Sequence, residues 1–322
     1  MIPSKDEITI CFAHVAYQLQ QRFLPLNTGM TSFEVRDRET LERRLGEADV
    51  LVISGLWQNR FVERAKRLRF IQSIGAGTDQ FPEADLAKAG IRLASARGVN
   101  ARAVSEHAMA LILALSRRLG EARDNQAKRV WRGMIGDLGE REDELSGKTL
   151  LIAGLGQIGG RLAHLAKAFD MHVIGLKRNP VADAGQAFAV HRMDELKSLL
   201  PRADFVALCC PLTPETENLI DAEALGRMKP SAYLINVARG RCVGEAALVK
   251  TPLARGIAGA GIDVTVEEPL PPDSPLWAME QVLITPHTAG ETRRYEDHVL
   301  AILLENLERL WRGEASLHNQ VV

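Results

Sequence analysis

The sequence is short of several things, and each shortage removes a class of function. It has almost no net charge, since 40 Lys and Arg face 41 Asp and Glu and leave a formal −1. No basic tract compensates locally, so a nucleic-acid backbone would find little to neutralise it, and no nucleic acid is expected as a partner. No apolar run is long enough to cross a bilayer, and the opening Met1-Ile2-Pro3-Ser4-Lys5-Asp6-Glu7 lacks the apolar core of a secretion signal. No membrane partner is therefore expected, and the cytoplasm is the expected location. The four cysteines, Cys11, Cys209, Cys210 and Cys242, show no metal-ligand spacing, so no metal site is expected. Cys209 and Cys210 close the apolar run Phe205–Cys210 and read as small buried hydrophobes rather than redox centres. Internal repeats and low-complexity segments are missing too. The densest proline stretch, Leu270-Pro271-Pro272-Asp273-Ser274-Pro275, reads as a loop rather than a linker.

What is present is an ordinary globular composition, 46% hydrophobic and 25% charged, over 322 residues. That length exceeds the usual single core and predicts two domains. Short β-branched runs alternate with amphipathic stretches, the pattern of parallel sheets with crossover helices. Strands are predicted at Ile8–Phe12, Val50–Ser54 and Phe70–Ile74, with helical Leu41–Leu45 and Phe61–Lys66 between them. A second series runs through Leu150–Ala153, His172–Leu176, Phe205–Cys209, Tyr233–Asn236, Gly259–Asp263 and Val282–Thr285. The fold class is α/β, with two Rossmann-like, doubly wound parallel sheets. Between the series, Val104–Leu119 is apolar on nearly all sides and predicts a long helix buried between domains or subunits. A last helix, Tyr295–Trp311, has no strand after it and is expected to return to the first unit and close it.

Gly154-Leu155-Gly156-Gln157-Ile158-Gly159 sits between the apolar run Thr149–Ala153 and the helical stretch Arg161–Phe169. A GxGxxG alone says little. Between strand and helix it lets backbone amides approach a pyrophosphate at the helix N-terminus, so a dinucleotide site is predicted. The next strand should end in an acid if the adenosine ribose carries a free 2′-hydroxyl. It ends instead in Lys177-Arg178-Asn179-Pro180. A Lys-Arg pair can accept a 2′-phosphate, which favours NADP(H) and leaves NAD(H) open. A solvated basic loop is the alternative reading of Lys177 and Arg178.

Downstream lie three local signatures, Asn236-Val237-Ala238-Arg239-Gly240, Asp263-Val264-Thr265-Val266-Glu267-Glu268-Pro269 and Thr285-Pro286-His287-Thr288-Ala289-Gly290. Hydride exchange at a 2-keto acid needs a cation for a carboxylate, an imidazole to move a proton and a carboxylate to steer that imidazole. Arg239, His287 and Glu268 supply these types, and the chain reads as an enzyme. The other histidines, His107 and His164 among them, read as structural.

These motifs, with Cys210-Pro211-Leu212-Thr213-Pro214-Glu215-Thr216, Gly75-Ala76-Gly77-Thr78-Asp79, Gly98-Val99-Asn100 and Ser105-Glu106-His107, occur in an order that resembles the D-isomer-specific 2-hydroxyacid dehydrogenases, glyoxylate/hydroxypyruvate reductase types above all. The resemblance spans most of the chain. It implies a substrate domain of residues 1–98 plus 291–322 enclosing a dinucleotide-binding domain of residues 99–290, with substrate held in the cleft and a homodimer formed through the cofactor domains. It also assigns roles. His287 gives a proton to the substrate carbonyl oxygen, Glu268 fixes its tautomer, and Arg239 grips the substrate carboxylate and polarises the keto group. Backbone amides of Ala76 and Gly77 take the remaining carboxylate oxygens. Asp263 and the Val237 carbonyl hold the nicotinamide carboxamide, and Pro211 and Thr216 line the cofactor groove.

Departures from the family pattern bear on the details. Lys177 replaces a frequent acid, Thr265 stands where an aromatic residue is common, and Gly244 replaces another acid. From the length, the regulatory domain of many phosphoglycerate dehydrogenases is not expected, and Glu268 argues against formate dehydrogenases, where an amide usually partners the histidine. The expected substrate is a small 2-keto or D-2-hydroxy acid such as glyoxylate or hydroxypyruvate, with Leu56, Trp57, Arg293 and Arg294 bearing on its length. The alternatives are a dinucleotide-dependent corepressor-like binding protein and a formate- or phosphite-type dehydrogenase.

Overall fold

A computed structural model describes residues 2–179, 188–250 and 256–322. Pro180, the last member of the basic quartet, lies outside the described residues. The chain divides into two compact units, Met1–Asn100 with Thr292–Val322, and Ala101–Glu291.

The first unit carries strands β1 (Thr9–Ala13), β2 (Thr31–Val35), β3 (Val50–Ile53), β4 (Phe70–Ser73) and β5 (Arg92–Ala94) in one sheet, ordered β2-β1-β3-β4-β5. Every pairing is parallel. This is the flavodoxin-like variant of the doubly wound arrangement. Alternation along each strand splits the core into two layers. Cys11, Ala13, Leu51, Ile53 and Ile71 face one side, whereas Ile10, Phe12, Val50, Val52 and Phe70 face the other. The helix Tyr295–Trp311 forms with the predicted bounds and returns to this unit. Its Tyr295, Val299, Leu300, Leu303 and Leu307 recur at helical spacing and pack into the second layer, where each large side chain contributes roughly 1.5–3 kcal/mol by burial. Asn306, fully buried on that helix, donates to Gln72 Oε1 of β4 at 3.1 Å and accepts from the His318 amide at 2.7 Å. Leu56 and Trp57 are only 7% exposed, and the Trp57 ring packs against Phe61 and Phe81, so their bulk is spent on the core of this unit.

The second unit holds β6 (Thr149–Ala153), β7 (His172–Lys177), β8 (Ala189–Arg192), β9 (Phe205–Leu208), β10 (Tyr233–Asn236), β11 (Gly259–Ile262) and β12 (Val282–Ile284). They form one parallel sheet ordered β12-β11-β10-β9-β6-β7-β8. The order reverses between β6 and β9, the place where open α/β sheets bind ligands beyond the strand ends. Cys209 directly follows β9 and is half-buried against the layer of Leu150 and Ile152, where desolvation pushes its thiol up to about 12, whereas Cys210 is buried.

The long apolar helix differs from expectation at both ends. It spans Ala101–Ser116, and a second helix, Leu119–Lys128, follows a break. Arg118 adopts φ +48 there, a left-handed turn that the apolar run through Leu119 conceals. Val104, Ala108, Leu111 and Ile112 pack with Leu150, Ile152, Ala163 and Ile235, so the helix covers the sheet of its own unit. The helix after the Gly-rich turn begins at Gln157, four positions before the predicted start. Strands β2, β5 and β8 were not predicted, and all three lie at sheet edges.

Candidate active site

Parallel strands deliver their following loops to one edge of a sheet, and in the second unit those loops carry the predicted residues. Gly154 follows β6, Lys177 ends β7, Pro211 and Thr216 follow β9, Val237 and Arg239 follow β10, Asp263 follows β11, and His287 follows β12. All six of these strands, β12 through β7, are consecutive in the sheet. Ala76 and Gly77 lie in the first unit, in the turn after β4.

His287 Nδ1 lies 2.7 Å from Glu268 Oε2. With the carboxylate accepting, Nδ1 carries the proton and Nε2 is left for chemistry. The second Glu268 oxygen accepts from the Thr265 amide at 3.1 Å, which fixes the carboxylate plane. Thr265 in turn donates its hydroxyl to the Glu267 carbonyl at 2.6 Å. Both members of the pair remain accessible, with side-chain exposures of 51% and 38%. A half-exposed pair of this kind can meet a substrate yet is screened by water, so its worth lies in orientation rather than in stability.

Arg239 is exposed at the start of the short turn Gly240–Cys242, and its Nη1 donates to the Ala238 carbonyl at 2.7 Å. The turn is built by Asn236, which is 1% exposed. Its side-chain oxygen accepts from the Ala238 amide at 3.1 Å and its nitrogen donates to the Arg239 carbonyl at 3.0 Å. Gly240 brings this turn against the Glu268 loop, for a Cβ there would stand 2.0 Å from the Thr265 carbonyl. Asn236 stands in the predicted motif, but nothing in the motif's spacing marks its part in shaping the arginine turn.

The residues fit a dinucleotide. Gly154 holds φ +102, and a Cβ on it would stand 2.7 Å from the Cys210 amide nitrogen. A Cβ on Gly159 would stand 2.0 Å from the Gly154 carbonyl oxygen, so the helix can start tight against the turn only with glycine there. At Gly156, by contrast, nothing among the described residues beyond its chain neighbours lies within 4 Å of an added Cβ. That open ground fronts the N-terminus of Gln157–Ala168, whose cap has no side-chain hydrogen bond. Gln157 and Ile158 therefore present first-turn amides suited to a pyrophosphate. Thr216 is buried and turned to its own loop, donating to the Pro211 carbonyl and accepting from the Thr213 amide, both at 2.7 Å. Arg178 is exposed and Lys177 partly so, and the charge of Arg178 helps to hold the Glu215 carboxyl below its usual range, after the larger effects of hydrogen bonds from Thr213 and the backbone.

Asp263 is 3% exposed. Its Oδ1 accepts from the Thr285 hydroxyl at 2.6 Å and the Thr288 amide at 3.0 Å, and its Oδ2 accepts from the Ala289 amide at 3.1 Å. Most of its acceptor capacity is thus committed inside the protein. No group of three or more His, Cys, Asp or Glu that could hold a metal occurs among the described residues. No helix among them is long and apolar enough to cross a membrane.

Comparison with known proteins agrees with this layout. Residues 109–289 match the family model described as D-isomer specific 2-hydroxyacid dehydrogenase, NAD binding domain. A glyoxylate/hydroxypyruvate reductase B from Pectobacterium carotovorum subsp. carotovorum is 37% identical over 255 residues, covering 79% of each chain. A D-3-phosphoglycerate dehydrogenase from Methanocaldococcus jannaschii is 33% identical over 290 residues, 89% of this chain. This chain spans only 53% of the length of that relative. The crystal structure of the TT0316 protein from Thermus thermophilus superposes with a TM-score of 0.84 at 31% identity, covering 98% of this chain and 100% of the other. The chain belongs to the D-isomer specific 2-hydroxyacid dehydrogenase family.

Proposed function

We propose that the protein is an oxidoreductase that reduces a small 2-keto acid, of the glyoxylate or hydroxypyruvate kind, to its D-2-hydroxy acid. The observation that carries this reading is the His287–Glu268 pair at 2.7 Å, set at strand ends beside the turn of Arg239. When bound, a reduced nicotinamide supplies the hydride. His287 Nε2 gives a proton to the carbonyl oxygen of the substrate, while Glu268 holds the ring by Nδ1 and balances the charge on the imidazolium. Arg239 holds the substrate carboxylate and stabilises negative charge on the keto oxygen. Gly154, Gly156, Gln157, Ile158 and Gly159 form the pyrophosphate turn, with Pro211, Thr216, Val237 and Asp263 along the rest of the cofactor site.

Lys177 and Arg178 make NADPH the favoured reductant, since two cations stand where a ribose-binding acid would repel a 2′-phosphate. A second copy of the chain is the proposed partner. Trp131 is 99% exposed, Met134 100% and Leu138 76%, and a run of bared apolar side chains marks a contact surface. A monomer in sedimentation would remove that assignment. The function itself is tested by following NADPH and NADH absorbance against glyoxylate, hydroxypyruvate, pyruvate and 3-phosphohydroxypyruvate. Turnover of an unphosphorylated acid, faster with NADPH, is expected. Indifference to all four would overturn the reading, and preference for the phosphorylated acid would redirect it.

A further inference from the structure

We propose that His107 and Thr285 are positioning residues for the loop that carries His287, acting through the carboxylate of Asp263. Three successive backbone amides of that loop converge on one residue. His287 N–H donates to the Asp263 carbonyl at 2.8 Å, Thr288 N–H to Oδ1 at 3.0 Å, and Ala289 N–H to Oδ2 at 3.1 Å. The convergence has something to hold, because His287 sits at φ +56, a left-handed conformation that is unfavourable for a non-glycine residue. The buried carboxylate thus holds the two amides that follow His287, while backbone carbonyls of Asp263 and Thr285 hold the amide of His287 itself.

That orientation is set from the far side. Thr285 Oγ1 donates to Asp263 Oδ1 at 2.6 Å, and His107 Nε2 lies 2.9 Å from the same hydroxyl oxygen. A threonine hydroxyl has one proton. Spent on the carboxylate, it leaves Oγ1 only as an acceptor toward His107, so Nε2 of His107 carries a hydrogen and donates. The direct separation of His107 Nε2 from Asp263 Oδ1 is 3.6 Å, too long for a hydrogen bond, and the hydroxyl is the necessary intermediate. The donor chain therefore runs from the helix Ala101–Ser116 through Thr285 to Asp263 and ends on the loop of His287. Each link is directional, and a charge-assisted bond of 2.6 Å is among the stronger kinds.

The kinetic arm of the test rests on the function proposed above, and the exchange arm does not. Thr285→Val removes the hydroxyl at nearly constant volume. It is expected to lower kcat about 10- to 100-fold with KM for the keto acid within about twofold, the scale of loss that a displaced reacting group produces. Thr285→Ser, which keeps the hydroxyl, should recover kcat to within about threefold. His107→Gln, which keeps a donor, should retain more activity than His107→Leu. In hydrogen exchange, the Thr288 and Ala289 amides should open at least about tenfold faster in Thr285→Val, with the amides of β6 and β9 unchanged. Nitrogen NMR of the wild-type protein should show His107 protonated at Nε2. A Thr285→Val protein with unchanged exchange and kcat would overturn the proposal. So would a Thr285→Ser protein as impaired as the valine variant, or a His107 protonated at Nδ1 alone. If Thr285→Val does not fold, the serine variant and the His107 pair decide. A wild-type protein inert toward every keto acid would remove the function and leave the exchange result to judge the positioning.

Discussion

The two units solve the same packing problem and spend their buried polar groups differently. Both are parallel sheets covered on two faces, with side chains alternating into separate apolar layers. In the first unit the buried Gln72 and Asn306 join β4 to the helix Tyr295–Trp311, and buried Asp49 receives the Thr9 amide and Arg67. Those bonds tie one element of the fold to another. In the second unit the buried Asn236, Asp263 and Thr216 all follow or end strands and turn their bonds on loops, those of Arg239, His287 and Pro211 respectively. Burying a polar group without a partner costs about 1–3 kcal/mol, so each satisfied one marks a place where geometry is worth defending. The first unit spends these bonds mainly on its architecture, with buried Ser73 turned on the Gly75 carbonyl as an exception, and the second spends them on the aim of its side chains.

The strongest break of that contrast is Arg239→Lys, which keeps the charge and the turn and loses only the planar fork. A loss of about tenfold to a thousandfold in kcat/KM is expected, roughly 1.4–4 kcal/mol of transition-state stabilisation. Near-native kcat/KM would mean that the turn defends nothing of catalytic value. Next come two substitutions that strip one buried polar group from each unit. Asn236→Ala should cost about 1–3 kcal/mol of stability and about tenfold or more in kcat, because the Ala238 amide and Arg239 carbonyl lose their partners. Asn306→Leu should cost a similar stability, read from denaturant midpoints, with kcat of the folded protein within about twofold. Equal losses of kcat in the two variants would erase the distinction between the units. The smallest effect is at the solvent edge. Lys177→Asp with Arg178→Ala should shift the NADPH-to-NADH ratio of kcat/KM severalfold toward NADH at one ionic strength, since exposed charges are screened. A wild-type preference for NADH, or a ratio that does not move, would reduce the pair to a solvated loop.

The same contrast explains what could be read in the sequence. Strands β3, β6, β9 and β10 are runs of almost wholly buried apolar residues, and such runs are visible one residue at a time. The unpredicted strands are mixed. Thr31–Val35 alternates polar with apolar, Ala189–Arg192 has no fully buried residue, and Arg92–Ala94 has three residues in all. Their strand character comes from a neighbour's hydrogen bonds rather than from their own composition. The pairing of His287 with Glu268 was legible because 19 residues separate partners within two recognisable signatures. His107 was not, since its partner Thr285 is 178 residues away and nothing local marks a histidine in an apolar helix as a donor. Asn236 and Asp263 stand in recognisable motifs, but their work on loop backbones depends on contacts that no spacing encodes.

The return of the helix Tyr295–Trp311 to the first unit also orders events at the ribosome. The first hundred residues emerge early, yet one apolar layer of their sheet waits for Val299, Leu300, Leu303 and Leu307. The whole of Ala101–Glu291 is synthesised in between, on the order of ten seconds or more at usual elongation rates. The second unit, contiguous in the chain, can complete its core while the first still has a face uncovered. During synthesis the sheet of the first unit thus keeps an apolar face bare for longer than the unit translated after most of it.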